Sequence, residues 1–131
     1  MPMGKPQDLA GLRVLVIEDD DSIRQMICQM LRRLRITELV EAENGEVGLE
    51  CVRQAGAAFD LAVCDWNMPR LNGLEFTTRA REHHAGLKIL MVSGRNDLQS
   101  IVDAKRSGVT GYIVKPFSLQ ELKCKIEHVT G

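Results

Sequence analysis

No apolar run in these 131 residues approaches the roughly 20-residue length of a membrane span, so membrane insertion is not expected. The opening Met1-Pro2-Met3-Gly4-Lys5-Pro6 lacks the apolar stretch of a secretory signal. It reads as a short disordered lead over residues 1–10, and the expected compartment is the cytoplasm. Charge of one sign is also missing. A formal net charge of −1 supplies no bulk basic field to draw in DNA or an anionic membrane. With no helix-turn-helix in view, direct nucleic-acid binding is not expected. The four cysteines, Cys28, Cys51, Cys64 and Cys124, form no C-x-x-C pair. The first three fall beside apolar residues inside expected helices or strands, and they read as reduced thiols packed as small apolar groups. His83-His84 is the remaining hint of a soft-metal site. Neighbours on a helix do not face one point, and no Cys or carboxylate stands at ligand spacing, so the pair reads as surface. Also absent are G-x-x-x-x-G-K-[ST], H-E-x-x-H, G-x-S-x-G and a Gly-rich dinucleotide fingerprint. A nucleotide bound by this chain is therefore not expected.

What is there is an ordinary globular composition, 44% hydrophobic and 27% charged. The length suits one domain, expected over residues 11–131, able to bury roughly two-thirds of its unfolded surface without a disulfide or structural metal. Strand-like and helix-like segments alternate. Val14-Leu15-Val16-Ile17 reads as a buried strand, followed by Ile23, Met26, Ile27, Met30, Leu31 and Leu34 at helical spacing, with Asp20, Asp21 or Ser22 as the cap. A weaker strand surrounds Leu39-Val40, Asn44-Gly45 turns the chain, and Val47, Gly48, Cys51, Val52 and Ala55 share one helix face. Strand 60–64 follows. A helix from Asn72-Gly73 offers Leu74, Thr77, Thr78 and Ala80 for packing. Then come strand 88–92, a helix carrying Leu98, Ile101, Val102 and Lys105 with Gly108 as its C-cap, strand 111–115, and a last helix capped by Ser118 with Leu119, Leu122, Ile126 and Val129 inward. Single helices between strands imply a parallel sheet with right-handed crossovers, and all-apolar strands imply helices on both faces: an α/β, doubly wound domain of five β-α units.

Each strong strand runs into a functional group. The first meets Glu18-Asp19. Leu61-Ala62-Val63-Cys64 meets Asp65, Ile89-Leu90-Met91-Val92 meets Ser93, and Tyr112-Ile113-Val114 meets Lys115-Pro116. Open sheets of this kind bind ligands beyond the carboxyl ends of their strands, so the fold collects these residues into one crevice. Carboxylates crowded together repel, and a divalent cation relieves that repulsion. Hard oxygen donors without His or Cys point to Mg²⁺. Mg²⁺ beside an ammonium makes an anion site suited to a phosphoryl group, and a carboxylate there can serve as nucleophile, giving an aspartyl phosphate. Without a nucleotide loop, the phosphoryl group is expected from another molecule.

At this point the chain closely resembles the receiver domain of bacterial two-component response regulators, and within that family the single-domain chemotaxis regulators. The resemblance spans roughly residues 11–129. It rests on Glu18-Asp19, Cys64-Asp65-Trp66-Asn67-Met68-Pro69, Leu71-Asn72-Gly73-Leu74-Glu75, Val92-Ser93 and Gly111-Tyr112-Ile113-Val114-Lys115-Pro116-Phe117, in that order. It implies the flavodoxin-like strand order 2-1-3-4-5. It also implies Asp65 as phosphoacceptor and Asp19 as the direct Mg²⁺ ligand together with Asp65. Glu18 would hold the metal through water, and Asn67 would add its backbone carbonyl. Ser93 corresponds to the switch hydroxyl and Lys115 to the lysine that pairs first with the acceptor and then with the phosphoryl group. The Lys115-Pro116 bond is expected to be cis, and Tyr112 corresponds to an aromatic that turns inward when the hydroxyl moves. Trp66, directly after the acceptor, reads as a spectator beside the metal.

Further expectations follow from the resemblance. The phosphoryl donor is a sensor histidine kinase or phosphotransfer protein, and the output is a contact with a downstream protein target through the fourth helix, last strand and last helix, with Leu98, Ile101, Tyr112 and Lys125 as candidates. Leu98 and Ile101 have core packing as the rival role. Beyond phosphotransfer to itself and its own dephosphorylation, no enzymatic turnover is expected. Glu18 departs from the commoner Asp, and Arg95 stands two residues past Ser93 where the chemotaxis type has an acid. A cation there can bind or shield the phosphoryl group and alter its lifetime. Alternatives are a receiver cut from a larger regulator and a receiver that docks partners without phosphorylation. A phosphatase of the haloacid dehalogenase type would want an Asp where Asn67 stands, and a flavodoxin would want hydroxyls where Glu18-Asp19-Asp20-Asp21 stands.

Overall fold

In the computed structural model of the chain, residues 9–131 are described. Most of the expected lead, residues 1–8, lies outside them; Leu9–Gly11 forms a short 3-10 turn whose Leu9 is buried. The elements are β1 (Arg13–Ile17), α1 (Asp21–Arg33), β2 (Glu38–Ala42), α2 (Gly45–Ala55), β3 (Leu61–Asp65), α3 (Gly73–His83), β4 (Ile89–Ser93), α4 (Leu98–Ser107), β5 (Gly111–Val114) and α5 (Leu119–Thr130). All strand pairs are parallel and their order is β2-β1-β3-β4-β5. The chain leaves β1 for β2 on one side and returns to β3 on the other, so the strand order reverses between β1 and β3. Among the described residues no helix is long and apolar enough to cross a membrane.

Alternation along the strands sorts the core into two layers. Leu15, Ile17, Ala62, Cys64, Ile89 and Met91 face one side and pack with Val52 of α2, Phe76 and Ala80 of α3 and Ala104 of α4. Val14, Val16, Leu61, Val63, Leu90 and Val92 face the other, against Ile27 and Leu31 of α1 and Leu122 and Ile126 of α5. The strands β1, β3 and β4 are therefore apolar on both faces, whereas β2 is an edge strand that turns Glu38 and Glu41 to solvent.

The helix starts are set by side chains. Asp20 caps α1 by accepting from the Ile23 N–H at 3.0 Å. Asn72 with Glu75, and Ser118 with Glu121, form reciprocal capping boxes at α3 and α5. Asn44 does more than turn the chain, since its Oδ1 accepts from the Val47 N–H at 2.8 Å and satisfies the start of α2. At the end of α4, Gly108 sits at φ +106°, a left-handed conformation that costs a glycine little.

Helix faces are narrower than the apolar spacing suggested. Met26 and Val47 are exposed, because a helix on a sheet buries only the centre of its apolar arc, here Ile27 and Leu31 in α1 and Val52 in α2. In α3 the expected Thr78 points to solvent, while Phe76, overlooked in the spacing, is fully buried beside Thr77 and Ala80. Phe76→Ala should destabilise the domain by about 3–5 kcal/mol through lost transfer energy and a residual cavity. Urea unfolding measures it, and a loss comparable to that of a surface substitution would contradict the packing described.

Candidate functional site

Whereas β5 stops at Val114, one residue before the expected Lys115, β3 and β4 end one residue later than spacing suggested, so Asp65 is the last residue of β3 and Ser93 the last of β4. Both therefore inherit the rigidity of a sheet whose central strands are buried on both faces. Glu18 follows β1 directly, its N–H donating to the Ala42 carbonyl at 3.1 Å, and Lys115 follows β5, its N–H donating to the Ser93 carbonyl at 2.8 Å. The Lys115-Pro116 peptide bond is cis.

One ammonium meets two carboxylates here. Lys115 Nζ donates to Asp65 Oδ1 at 2.7 Å and stands 3.9 Å from Glu18 Oε1. Asp65 is 6% exposed and Glu18 only 2%. Burial raises the pKa of Asp65; the Lys115 ammonium and the Asn67 N–H oppose that shift, while the Asp19 charge adds to it. Burial pushes Glu18 up to about 7, helped by the charge of Asp65 and opposed by the Asp20 N–H, which donates to Glu18 Oε2 at 3.0 Å. Glu18 Oε1 is buried and accepts no hydrogen bond among the described residues.

The residue that carries this orphaned oxygen belongs to a cluster. Glu18, Asp19 and Asp65 each offer a carboxylate oxygen within 4.8 Å of the others, with Asp19 on the exposed side. Oxygen donors, excess negative charge and one unsatisfied buried acceptor together fit a hard divalent cation. Cys64 adds no sulfur ligand, because burial pushes its thiol well up and the thiol donates to the Asp65 carbonyl at 3.3 Å.

Two further features hold the acids in place. Arg24 donates to the Glu18 carbonyl at 2.7 Å, to Glu41 at 3.1 Å and to Asp21 at 2.5 Å, tying the β1–α1 turn to α1 and β2. Sequence reading missed it. The available signal was a cation in the first turn of a helix, where the macrodipole disfavours it unless acids gather round. Gly73 lets α3 begin against the acceptor: its N–H donates to the Trp66 carbonyl at 2.8 Å, and an added Cβ would lie 2.6 Å from the Asp65 carbonyl oxygen.

Beside the acids lies a second group. Ser93 is buried, and its Oγ accepts from the Arg95 N–H at 3.0 Å. The Arg95 guanidinium lies 4.7 Å over the Trp66 ring and donates to Asn67 Oδ1 at 3.2 Å. The Tyr112 hydroxyl donates to the Arg95 carbonyl at 2.6 Å, and its ring stands edge-on to Trp66 with centroids 6.2 Å apart. Thus Glu18, Asp19, Asp65 and Lys115 meet directly, and Ser93, Asn67, Arg95 and Tyr112 adjoin them. Leu98, Ile101 and Lys125 stand apart on α4 and α5. Leu98 is 77% exposed, whereas Ile101 is half-buried against the core, so the two candidate surface residues differ.

Comparison with known proteins covers nearly the whole chain. The response regulator receiver domain matches residues 14–127. The chemotaxis protein CheY of Pseudomonas aeruginosa is 37% identical over 120 residues, spanning 90% of this chain and 95% of that protein. The chemotaxis protein CheY1 of Helicobacter pylori (strain J99) is 35% identical over 122 residues, spanning 92% and 98%. Among solved structures, chemotaxis protein CheY4 of Vibrio cholerae superposes with a TM-score of 0.82 at 31% identity, covering 90% of this chain and 98% of that one.

The raised pKa of Glu18 makes the metal-free protein sensitive to pH. Between the ordinary 4.5 and about 7 the folded chain holds the extra proton. This contribution is therefore fully present below the unfolded value and is lost as pH rises through the folded one. In chelator, Glu18→Gln should flatten that decline and raise stability at about pH 8 by on the order of 1–3 kcal/mol. Urea midpoints across the range report it, and parallel pH profiles for the two proteins would refute it.

Proposed function

This chain belongs to the response regulator receiver family, and from that membership we propose that Asp65 is the phosphoacceptor of a CheY-like two-component switch. The observation that carries this reading is the 2.7 Å contact between Lys115 Nζ and Asp65, set in an acidic cluster with one unsatisfied buried oxygen. The donor is a phosphohistidine of a sensor kinase or phosphotransfer protein. An Asp65 oxygen attacks phosphorus, the P–N bond breaks, and its electron pair returns to the imidazole. Asp19, Asp65 and the Asn67 carbonyl would hold Mg²⁺, with Glu18 acting through water. When bound, the cation supplies charge neutralisation for the transferring phosphoryl oxygens.

Lys115 follows the charge, pairing with the carboxylate before transfer and with a phosphoryl oxygen after it. Ser93 has its oxygen occupied by the Arg95 N–H, which leaves its hydroxyl proton to donate to that group. Attack of water at phosphorus then returns Asp65 as carboxylate and releases inorganic phosphate, so the signal resets. The output is binding of a downstream protein in the cytoplasm through α4, β5 and α5, where Leu98 and Lys125 are exposed and Ile101 and Tyr112 lie beneath. The guanidinium of Arg95, close to Asn67, tunes the lifetime of the adduct.

Intact mass after incubation with acetyl phosphate tests this. A labile, Mg²⁺-dependent gain of one phosphoryl group is expected, absent in Asp65→Asn, and Lys115→Ala should slow its formation by about 10²–10³-fold. The same adduct appearing in Asp65→Asn would remove Asp65 from the role. Arg95→Glu should change the decay rate of the adduct; an unaltered rate would show that the guanidinium plays no part in hydrolysis.

A further inference from the structure

Residue 95 uses every polar group it has. Its N–H donates to Ser93 Oγ at 3.0 Å, its carbonyl accepts from the Tyr112 hydroxyl at 2.6 Å, and its guanidinium donates to Asn67 Oδ1 at 3.2 Å while lying 4.7 Å over Trp66. It does so from an exposed loop between β4 and α4. Beneath that loop Trp66 is 6% and Tyr112 7% exposed, although both lie near the mouth of the crevice. The guanidinium covers one face of the indole, and Tyr112 meets the indole with its edge at an interplanar angle of 83°. A long arginine draped over apolar surface is common and needs no function. Here the same side chain also bonds to the residue next to Trp66, so it fixes the β4–α4 loop to the β3–α3 loop at two adjacent points. The carbonyl that holds Tyr112 belongs to the residue so fixed. Asp65 takes part in none of these contacts.

We propose that Arg95 is a positioning residue: by stacking on Trp66 and bonding to Asn67, it fixes the β4–α4 loop so that Tyr112 is held inward independently of Asp65. This rests on the reading of Asp65 as phosphoacceptor and Ser93 as the switch hydroxyl, and it departs from the expectation that Tyr112 turns inward when that hydroxyl moves. Tyr112 is already set. A phosphoryl group on Asp65 acts through Ser93 on the Arg95 amide, and the partner meets a surface whose variable element is the loop and the start of α4, with Leu98 at its tip.

Trp66 and Tyr112 are the only residues of their types, so nuclear Overhauser contacts between the two rings are unambiguous. In metal-free protein the wild type should show these contacts, and adding Mg²⁺ with beryllofluoride should leave them unchanged. Arg95→Ala keeps the carbonyl but removes both anchors. It should weaken the contacts in the metal-free protein, lowering the ratio of inward to outward Tyr112 by about 5-fold or more. Arg95→Lys, with a cation but no planar fork, should fall between. A retained core amide spectrum shows that the variants are folded. Contacts that appear in the wild type only with beryllofluoride would overturn the proposal, as would full contacts in Arg95→Ala. If beryllofluoride leaves the Asp65 amide unmoved, the phosphoacceptor reading fails, while the metal-free comparison of the variants still decides the role of Arg95.

Discussion

A single ammonium shared by two buried carboxylates is the contact on which this site depends. β5 and β3 are not neighbours, for β4 lies between them. Strands stand about 4.8 Å apart, so Lys115 must reach across roughly 10 Å of sheet edge to meet Asp65. Its path crosses the end of β4, where Ser93 is buried. The same crossing brings the ammonium near Glu18 at the end of β1. Carboxylates with raised pKa values remain close together because the sheet core holds the strand ends where they are. One cation leaves the cluster under-neutralised, with one oxygen of Glu18 unsatisfied, and this residual negative charge is what makes the crevice receptive to another cation.

The crevice and the outer surface are joined by short-range contacts. Trp66 directly follows Asp65 and touches both Arg95 and Tyr112. Ser93 and Arg95 are joined through a backbone N–H. The carboxyl ends of β3 and β4 are thus connected to the loop leading into α4 through one or two contacts.

Much of this was legible in the sequence, because strand ends carry their chemistry in side-chain identity. Four apolar runs ending in acids, a hydroxyl and a lysine located the crevice, and the strand order agreed with the family resemblance. The helix faces were harder to read. Spacing alone does not say how wide an arc a sheet will cover, so Met26 and Val47 were placed inward when they are exposed, and Phe76 was passed over. Leu98 and Ile101 look alike in sequence, yet only the first is fully open to solvent. Contacts made by backbone atoms were invisible: no side-chain pattern announces that Tyr112 bonds to the carbonyl of Arg95, or that Arg24 bonds to the carbonyl of Glu18.

The edge strand β2 has a consequence outside signalling. An open sheet margin is a template on which another strand can add, and proteins blunt it with charge. Here Glu38 and Glu41 stand exposed on that margin. Two copies approaching through their β2 edges would bring like charges together before any ladder of amide bonds could form, and every step of alignment would add to the repulsion. The sheet is thereby guarded against growing into a fibre from this side by Glu38, together with Glu41, whose charge is partly met by Arg24.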